Sequence, residues 1–161
     1  MMYALSLGSN DKSGDYLKNA VGLLKKHGIV EDVSSVYETE PFETPCKETF
    51  LNACLTLKTG LRPEELLHVT QCMERSLGRS SKGDKACRTI DIDILLALDT
   101  IYYSQNLRIP HPELHRRGFY LVPLAEIAGN WLDPITGKSV GELLQELGDV
   151  EGIWKTGILL G

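Results

Sequence analysis

Apolar residues in this chain recur at two spacings, every second position or every third to fourth, and the order of these stretches predicts the architecture. Met2 to Leu7 reads as a strand closed by the turn triplet Gly8-Ser9-Asn10. Asp15 to Lys26 sets Leu17, Ala20, Val21 and Leu24 at helical spacing, with Gly28 as the stop. Ile29 to Glu38 is rich in β-branched and aromatic residues and predicts a second strand, broken by the loop Pro41-Phe42-Glu43-Thr44-Pro45. From Phe50 to Lys58 the alternation is cleanest: Leu51, Ala53, Leu55 and Leu57 face one way, Phe50, Asn52, Cys54 and Thr56 the other. Pro63 followed by Glu64 and Glu65 opens a helix, since a first-turn proline loses no hydrogen bond and acids suit the positive end of the macrodipole. That helix runs through Leu66, Leu67, Cys72 and Met73 to Leu77, before Gly78. A polar loop, Arg79 to Cys87, leads into a strand from Arg88 to Leu96. Then come a short strand near Thr100 to Tyr103, a helix near Arg117 to Ala128, and a helix near Val140 to Leu147 begun by the capping box Ser139 with Glu142. Beyond Leu147 no pattern assigns the chain.

Strand, helix, strand, strand, helix, strand is the split βαβ order of a ferredoxin-like sheet, an α+β fold. Such a sheet carries helices on one face and leaves the other for chemistry. The 161 residues suit a single domain, 1–161, with a sizeable core. A net charge of −5 argues against nucleic acid and anionic membranes as partners. No apolar run approaches the roughly 20 residues that span a bilayer, and the N-terminus lacks a signal-peptide pattern, so the expected compartment is the cytoplasm. Cys46, Cys54, Cys72 and Cys87 show no C-x-x-C spacing and read as reduced thiols.

The chemistry concentrates in Arg88-Thr89-Ile90-Asp91-Ile92-Asp93-Ile94-Leu95. On a strand, the isoleucines point one way and Asp91 and Asp93 the other, roughly 6.5 to 7 Å apart. Paired carboxylates repel and are disfavoured in strands, which fits a cation between them; Mg²⁺ uses one or two carboxylates and completes its shell with water and phosphate. Two solvated aspartates on a wet face would give the same pattern. Their surroundings are basic: Arg79, Lys82, Lys85 and Arg88 precede them, and His111, His115, Arg116 and Arg117 follow. Guanidinium groups beside a metal-binding pair suit a polyphosphate. The chain has neither the phosphate-loop pattern G-x-x-x-x-G-K-[ST] nor G-x-G-x-x-G, so a nucleotide would be held through metal and side chains.

These residues resemble the 6-hydroxymethyl-7,8-dihydropterin pyrophosphokinase family. The resemblance runs from Leu5 to about Pro134. It rests on Leu7-Gly8-Ser9-Asn10, Val36-Tyr37-Glu38-Thr39-Glu40-Pro41, Phe50-Leu51-Asn52-Ala53, the Arg88 to Ile94 segment, and Ile109-Pro110-His111-Pro112 with Arg117-Gly118-Phe119. It implies a ferredoxin-like α+β fold with mobile loops over the site, and transfer of pyrophosphate from ATP to the pterin hydroxymethyl group with release of AMP. By the same resemblance Asp91 and Asp93 hold two Mg²⁺ ions. Glu74, Arg79, Arg88, Ile94, His111 and Arg117 fall at ATP positions, with Arg79 and Arg88 catalytic in the phosphate chain. Thr39, Phe42, Phe50, Asn52 and Phe119 fall at the pterin pocket, where two rings can sandwich a flat bicycle and an amide can read its edge. The expected partners are small molecules, with the protein a monomer. The Arg79 to Cys87 loop departs from the family: Lys85 or Ala86, and Cys87, stand where Trp and Pro often occur, and Ser80 and Ser81 stand near a frequent second arginine.

Two other readings fit parts of the pattern. A metal-dependent phosphohydrolase would use Asp91, Asp93, His111 and His115 around an attacking water. A ferredoxin-like RNA-binding module would display aromatics in an RNP signature, and the sequence contains none.

Overall fold

The computed structural model describes residues 1–41, 48–78 and 90–161. In chain order the first elements are β1 (Met2–Ser9), α1 (Asp15–Leu24), β2 (Ile29–Val33), β3 (Tyr37–Thr39), β4 (Phe50–Lys58) and α2 (Pro63–Ser76). They are followed by β5 (Asp91–Ala97), β6 (Tyr102–Tyr103), β7 (Arg108–Ile109), a 3-10 turn at Leu114–Arg116, α3 (Gly118–Ala128), α4 (Val140–Leu147) and β8 (Ile153–Lys155). The main sheet is antiparallel in the order β5-β1-β4-β3-β8, with β2 also on β4. The short β6–β7 ribbon stands apart from it.

Side-chain alternation sorts the residues into two cores, one on each face. Tyr3, Leu5, Leu7, Leu51, Leu55 and Leu57 point to one face, where Leu17, Val21 and Leu24 of α1 and Leu66 and Met73 of α2 bury them. Ala4, Cys54 and Leu96 point to the other face and pack against Leu121, Leu124 and Ala128 of α3 and Val140 and Leu143 of α4. The α+β class is as expected, but confinement of the helices to one face is not: α3 and α4 cover part of the second. The physical reason lies in α3, whose stripe Tyr120, Leu121, Leu124 and Ala128 is buried. Such a stripe contributes roughly 25 cal/mol per Å² only when covered, and the open sheet face is where it can be covered.

The single strand expected from Ile29 to Glu38 is two, because Ser34 replaces backbone with side chain. Ser34 N–H donates to the Cys54 carbonyl at 2.8 Å, while Ser34 Oγ accepts from Cys54 N–H at 2.9 Å. The hydroxyl takes the place of a ladder carbonyl and the strand breaks there. The chain after Leu147 is also built in. Tyr37 pairs with Lys155 and Thr39 with Ile153, Thr156 donates twice to the Val36 carbonyl, and Ile158 and Leu160 pack on the first core.

Glu126 ties α3 to the sheet. Its carboxylate accepts from Ser35 N–H at 2.7 Å, Ser35 Oγ at 3.1 Å and Tyr37 Oη at 2.7 Å. Burial pushes its pKa up, but the Tyr37 and Ser35 hydrogen bonds, helped by Lys155, outweigh that and hold it below the usual carboxylate value. A depressed folded-state pKa contributes stability above the unfolded-state pKa, and this stability is lost as pH falls through the folded one. Thermal melts of Glu126→Gln are therefore expected to fall below wild type at neutral pH, with the gap closing as acid protonates the wild-type carboxylate.

Candidate active site

The register of the sheet brings the predicted residues together on the second face, where the start of α3 also packs. Gly8 of β1 lies opposite Asp91 on one side and Asn52 on the other, and Asn52 lies opposite Tyr37. Opposed residues of antiparallel strands share a face, so Asp91, Gly8, Asn52 and Tyr37 form one row across four strands. The next row is Asp93, Ser6 and Cys54. Thr39 lies opposite Phe50, and Asn52 Nδ2 donates to Thr39 Oγ1 at 2.7 Å inside the sheet. The middle of the first row is tight: a Cβ on Gly8 would stand 3.0 Å from Asn52 Oδ1, and the amide would have to give way. Gly8 thus leaves open ground between the carboxylate and the amide.

Three aromatic groups converge beside Asp93. Tyr120 Oη donates to Asp93 Oδ2 at 2.7 Å. The Tyr120 ring meets His111 edge-on at 5.1 Å and Phe119 edge-on at 4.8 Å. Burial first, then the Asp93 charge, push the phenol far above its usual range, so the group is a neutral donor at any working pH. His111 Nδ1 accepts from Glu113 N–H at 3.1 Å, which places the proton of the neutral ring on Nε2. Burial lowers the imidazole pKa against the pull of Glu113 and Asp91, while Arg117 adds to the lowering. His111 is therefore a neutral N–H donor at physiological pH. Cys54, one row in, is wholly buried and its thiol donates to the Tyr120 carbonyl at 3.6 Å; burial raises its pKa, so it is no nucleophile.

On the outer edge of the sheet a cavity of about 360 Å³ opens between β5, the β6–β7 ribbon and α2. Asp93, Ile94, Leu67, Tyr103, Arg108 and His111 line it. The ribbon is fastened to α2 through Glu64 Oε1, which accepts from Tyr102 Oη at 2.9 Å and Ser104 Oγ at 2.5 Å. Arg108 lies over the Tyr103 ring at 4.7 Å.

Of the predicted site residues, Asp91, Asp93, Asn52, Thr39, Phe50 and Phe119 share the second face, and His111 and Ile94 border the cavity. Glu74 is buried between α2 and the sheet, where its Oε2 accepts from Ile92 N–H at 3.0 Å, within β5. Arg117 is ion-paired with Glu113 at 3.6 Å. His115 is exposed on the 3-10 turn and does not share a helical face with His111. Phe42, Arg79 and Arg88, with Lys82 and Lys85, lie outside the described residues. Neither Tyr120 nor the ribbon was expected at the site, although a short strand was expected near Thr100 to Tyr103, where β6 lies. The ribbon carried a weak strand signal, and Tyr120 carried only helical periodicity, which marks burial and not a hydrogen bond.

The donor set fits Mg²⁺. Asp91 and Asp93 are two half-exposed carboxylates at alternate positions of β5. Among the described residues no group of three or more His, Cys, Asp or Glu side chains is placed to hold a metal ion. A pair of carboxylates alone suits a hard cation that keeps water and takes its other ligands from a phosphate substrate. A self-sufficient hydrolytic centre would need a third protein ligand, and none is placed beside the pair among the described residues.

A family model described as 7,8-dihydro-6-hydroxymethylpterin-pyrophosphokinase (HPPK) matches residues 4–129. A protein of Synechocystis sp. named 2-amino-4-hydroxy-6-hydroxymethyldihydropteridine pyrophosphokinase is 35% identical over 155 residues, covering 93% of this chain and 77% of its own. A Bacillus subtilis protein of the same name is 43% identical over 126 residues, covering 76% of this chain and 75% of its own. Among solved structures, the wild-type HPPK-DHPS of Plasmodium falciparum superposes on 90% of this chain with a TM-score of 0.75 at 16% identity. This chain spans 44% of that longer one, and the likeness there is one of fold.

Proposed function

This chain belongs to the 7,8-dihydro-6-hydroxymethylpterin-pyrophosphokinase family, an enzyme of pyrophosphoryl transfer in folate biosynthesis that takes ATP as co-substrate, and from that premise we propose how its residues divide the work. The pterin lies on the open sheet face. Asn52, oriented by Thr39, reads its polar edge, and Phe50 and Phe119, with Phe42, hold its flat faces. The triphosphate lies over β5, contacted by His111, Arg117, Arg79 and Arg88, with Ile94 on the nucleoside side. Glu74 acts at that nucleotide site through the β5 backbone it holds. Asp91 and Asp93 hold two Mg²⁺ ions, which when bound neutralise the phosphate oxygens and favour in-line displacement.

The observation that supports this division is the row Asp91, Gly8, Asn52. It sets a metal-competent carboxylate and a hydrogen-bonding amide on one flat surface with nothing larger than a hydrogen between them. The pterin hydroxyl oxygen attacks the β-phosphorus, the bond to the α-phosphate oxygen breaks, and AMP leaves; the hydroxyl proton passes to solvent. The protein's share is positioning and charge stabilisation, with no dedicated general base. Neutral His111 donates to a phosphate oxygen without placing a second cation against the metal. We read residues 1–161 as one such domain, acting as a monomer in the cytoplasm; no helix among the described residues is long and apolar enough to cross a membrane.

The test is AMP release from ATP and Mg²⁺ with and without 6-hydroxymethyl-7,8-dihydropterin. AMP that appears only with the pterin is the expected outcome. ADP or phosphate without it would instead establish hydrolysis.

A further inference from the structure

Tyr120 stands at the junction of three parts of the site. Its hydroxyl donates to Asp93 Oδ2 at 2.7 Å, its ring meets His111 at 5.1 Å, and Phe119, the next residue along, meets it at 4.8 Å. It is buried at the start of α3, so its ring has little room to move. That start is itself fixed. A Cβ on Gly118 would fall 2.6 Å from Val150 Cγ1, so the segment leading into β8 packs directly on the helix end. Further along, Glu126 binds α3 to Ser35 and Tyr37. A rigid donor is thereby aimed at one oxygen of one carboxylate.

We propose that Tyr120 is a positioning residue for the metal site: its hydroxyl sets the rotation of the Asp93 carboxylate, and through its ring contacts it keeps that carboxylate in register with His111 and Phe119. The inference rests on the reading of Asp91 and Asp93 as the metal pair. A half-exposed carboxylate with no fixed partner rotates about its last bond at little cost. Fixing one oxygen by a buried hydroxyl removes that freedom before the ion arrives, so less ordering is lost on binding. Groups that orient metal ligands in this way are typically worth 10- to 100-fold in metal affinity or activity.

The test is Tyr120→Phe, which keeps the ring and removes one oxygen. Mn²⁺ binding followed by electron paramagnetic resonance, in the presence of a non-hydrolysable ATP analogue, is expected to weaken about 10-fold. In parallel, the Mg²⁺ concentration for half-maximal activity should rise by a similar factor, while kcat at saturating Mg²⁺ is largely retained. Leu124→Ala removes packing from the same helix without touching Asp93, and it should lower thermal stability while leaving Mn²⁺ binding unchanged. If Tyr120→Phe binds Mn²⁺ as wild type does, or if Leu124→Ala shifts the binding as far, the positioning role is overturned. Asp93→Asn separates the premises: loss of Mn²⁺ binding there upholds the metal pair whatever Tyr120→Phe does, and unchanged binding overturns both.

Discussion

Asp93→Ala is expected to lower kcat by about 10³-fold or more, with a folded protein remaining. On the proposed reading Asp93 is one of two carboxylates, with Asp91 at the alternate position of β5, that would hold the metal, so its loss would leave half the protein's ligands. The charge of the transferring group would then be neutralised less fully. Two opposed effects decide stability. The substitution removes the repulsion between Asp91 and Asp93, and it strands the buried Tyr120 hydroxyl that had donated to Asp93 Oδ2. An unpaired buried hydroxyl costs about 1–3 kcal/mol, so a modest fall in Tm is expected rather than unfolding. The checks are steady-state AMP formation across a Mg²⁺ series and a thermal melt of the same preparation. Near-normal kcat at ordinary Mg²⁺ would remove Asp93 from the mechanism.

Asn52→Ala should be the second most damaging change, and it should fall on the other substrate. Its amide is buried and held by Thr39 Oγ1 at 2.7 Å, with Oδ1 brought close to the Gly8 backbone. An amide so fixed can both donate and accept along the edge of a pterin. Removing it deletes those bonds and leaves the Thr39 hydroxyl without its donor. At about 1–3 kcal/mol for each group left unpaired, kcat/KM for the pterin should drop about 10²-fold. Binding of MgATP, measured calorimetrically without pterin, should be unchanged, since Asn52 lies on the pterin side of the row. Equal losses for both substrates would mean a collapsed sheet face and not a lost contact.

Much of this was legible in the chain. The facing of Ile90, Ile92 and Ile94 against Asp91 and Asp93 follows from strand alternation, and the structure keeps it: Ile92 and Ile94 lie in the first core and the aspartates on the opposite face. The Phe50 to Lys58 strand and the α1 and α2 helices fall where their periodicities place them. The Ser139 and Glu142 cap also forms: Glu142 N–H donates to Ser139 Oγ at 3.1 Å. Each of these follows from a pattern within a few residues.

What failed to show had one common feature. The break between β2 and β3 needs Ser34 to meet Cys54, 20 residues away. The docking of the last strand needs Val36 and Thr156, 120 apart. Periodicity carries no information about such partners.

The sequence by itself determined most of the elements, the side of the strand each acid occupies and, through its motifs, the reaction, because strand pleat and helical repeat are local properties of the backbone. Only the tertiary structure decided which helix closes the second face, that Glu74 bonds the β5 backbone from below, and that a tyrosine 27 residues from Asp93 bonds its carboxylate. Those outcomes depend on which distant surfaces bury each other best, a competition settled by packing across the whole chain.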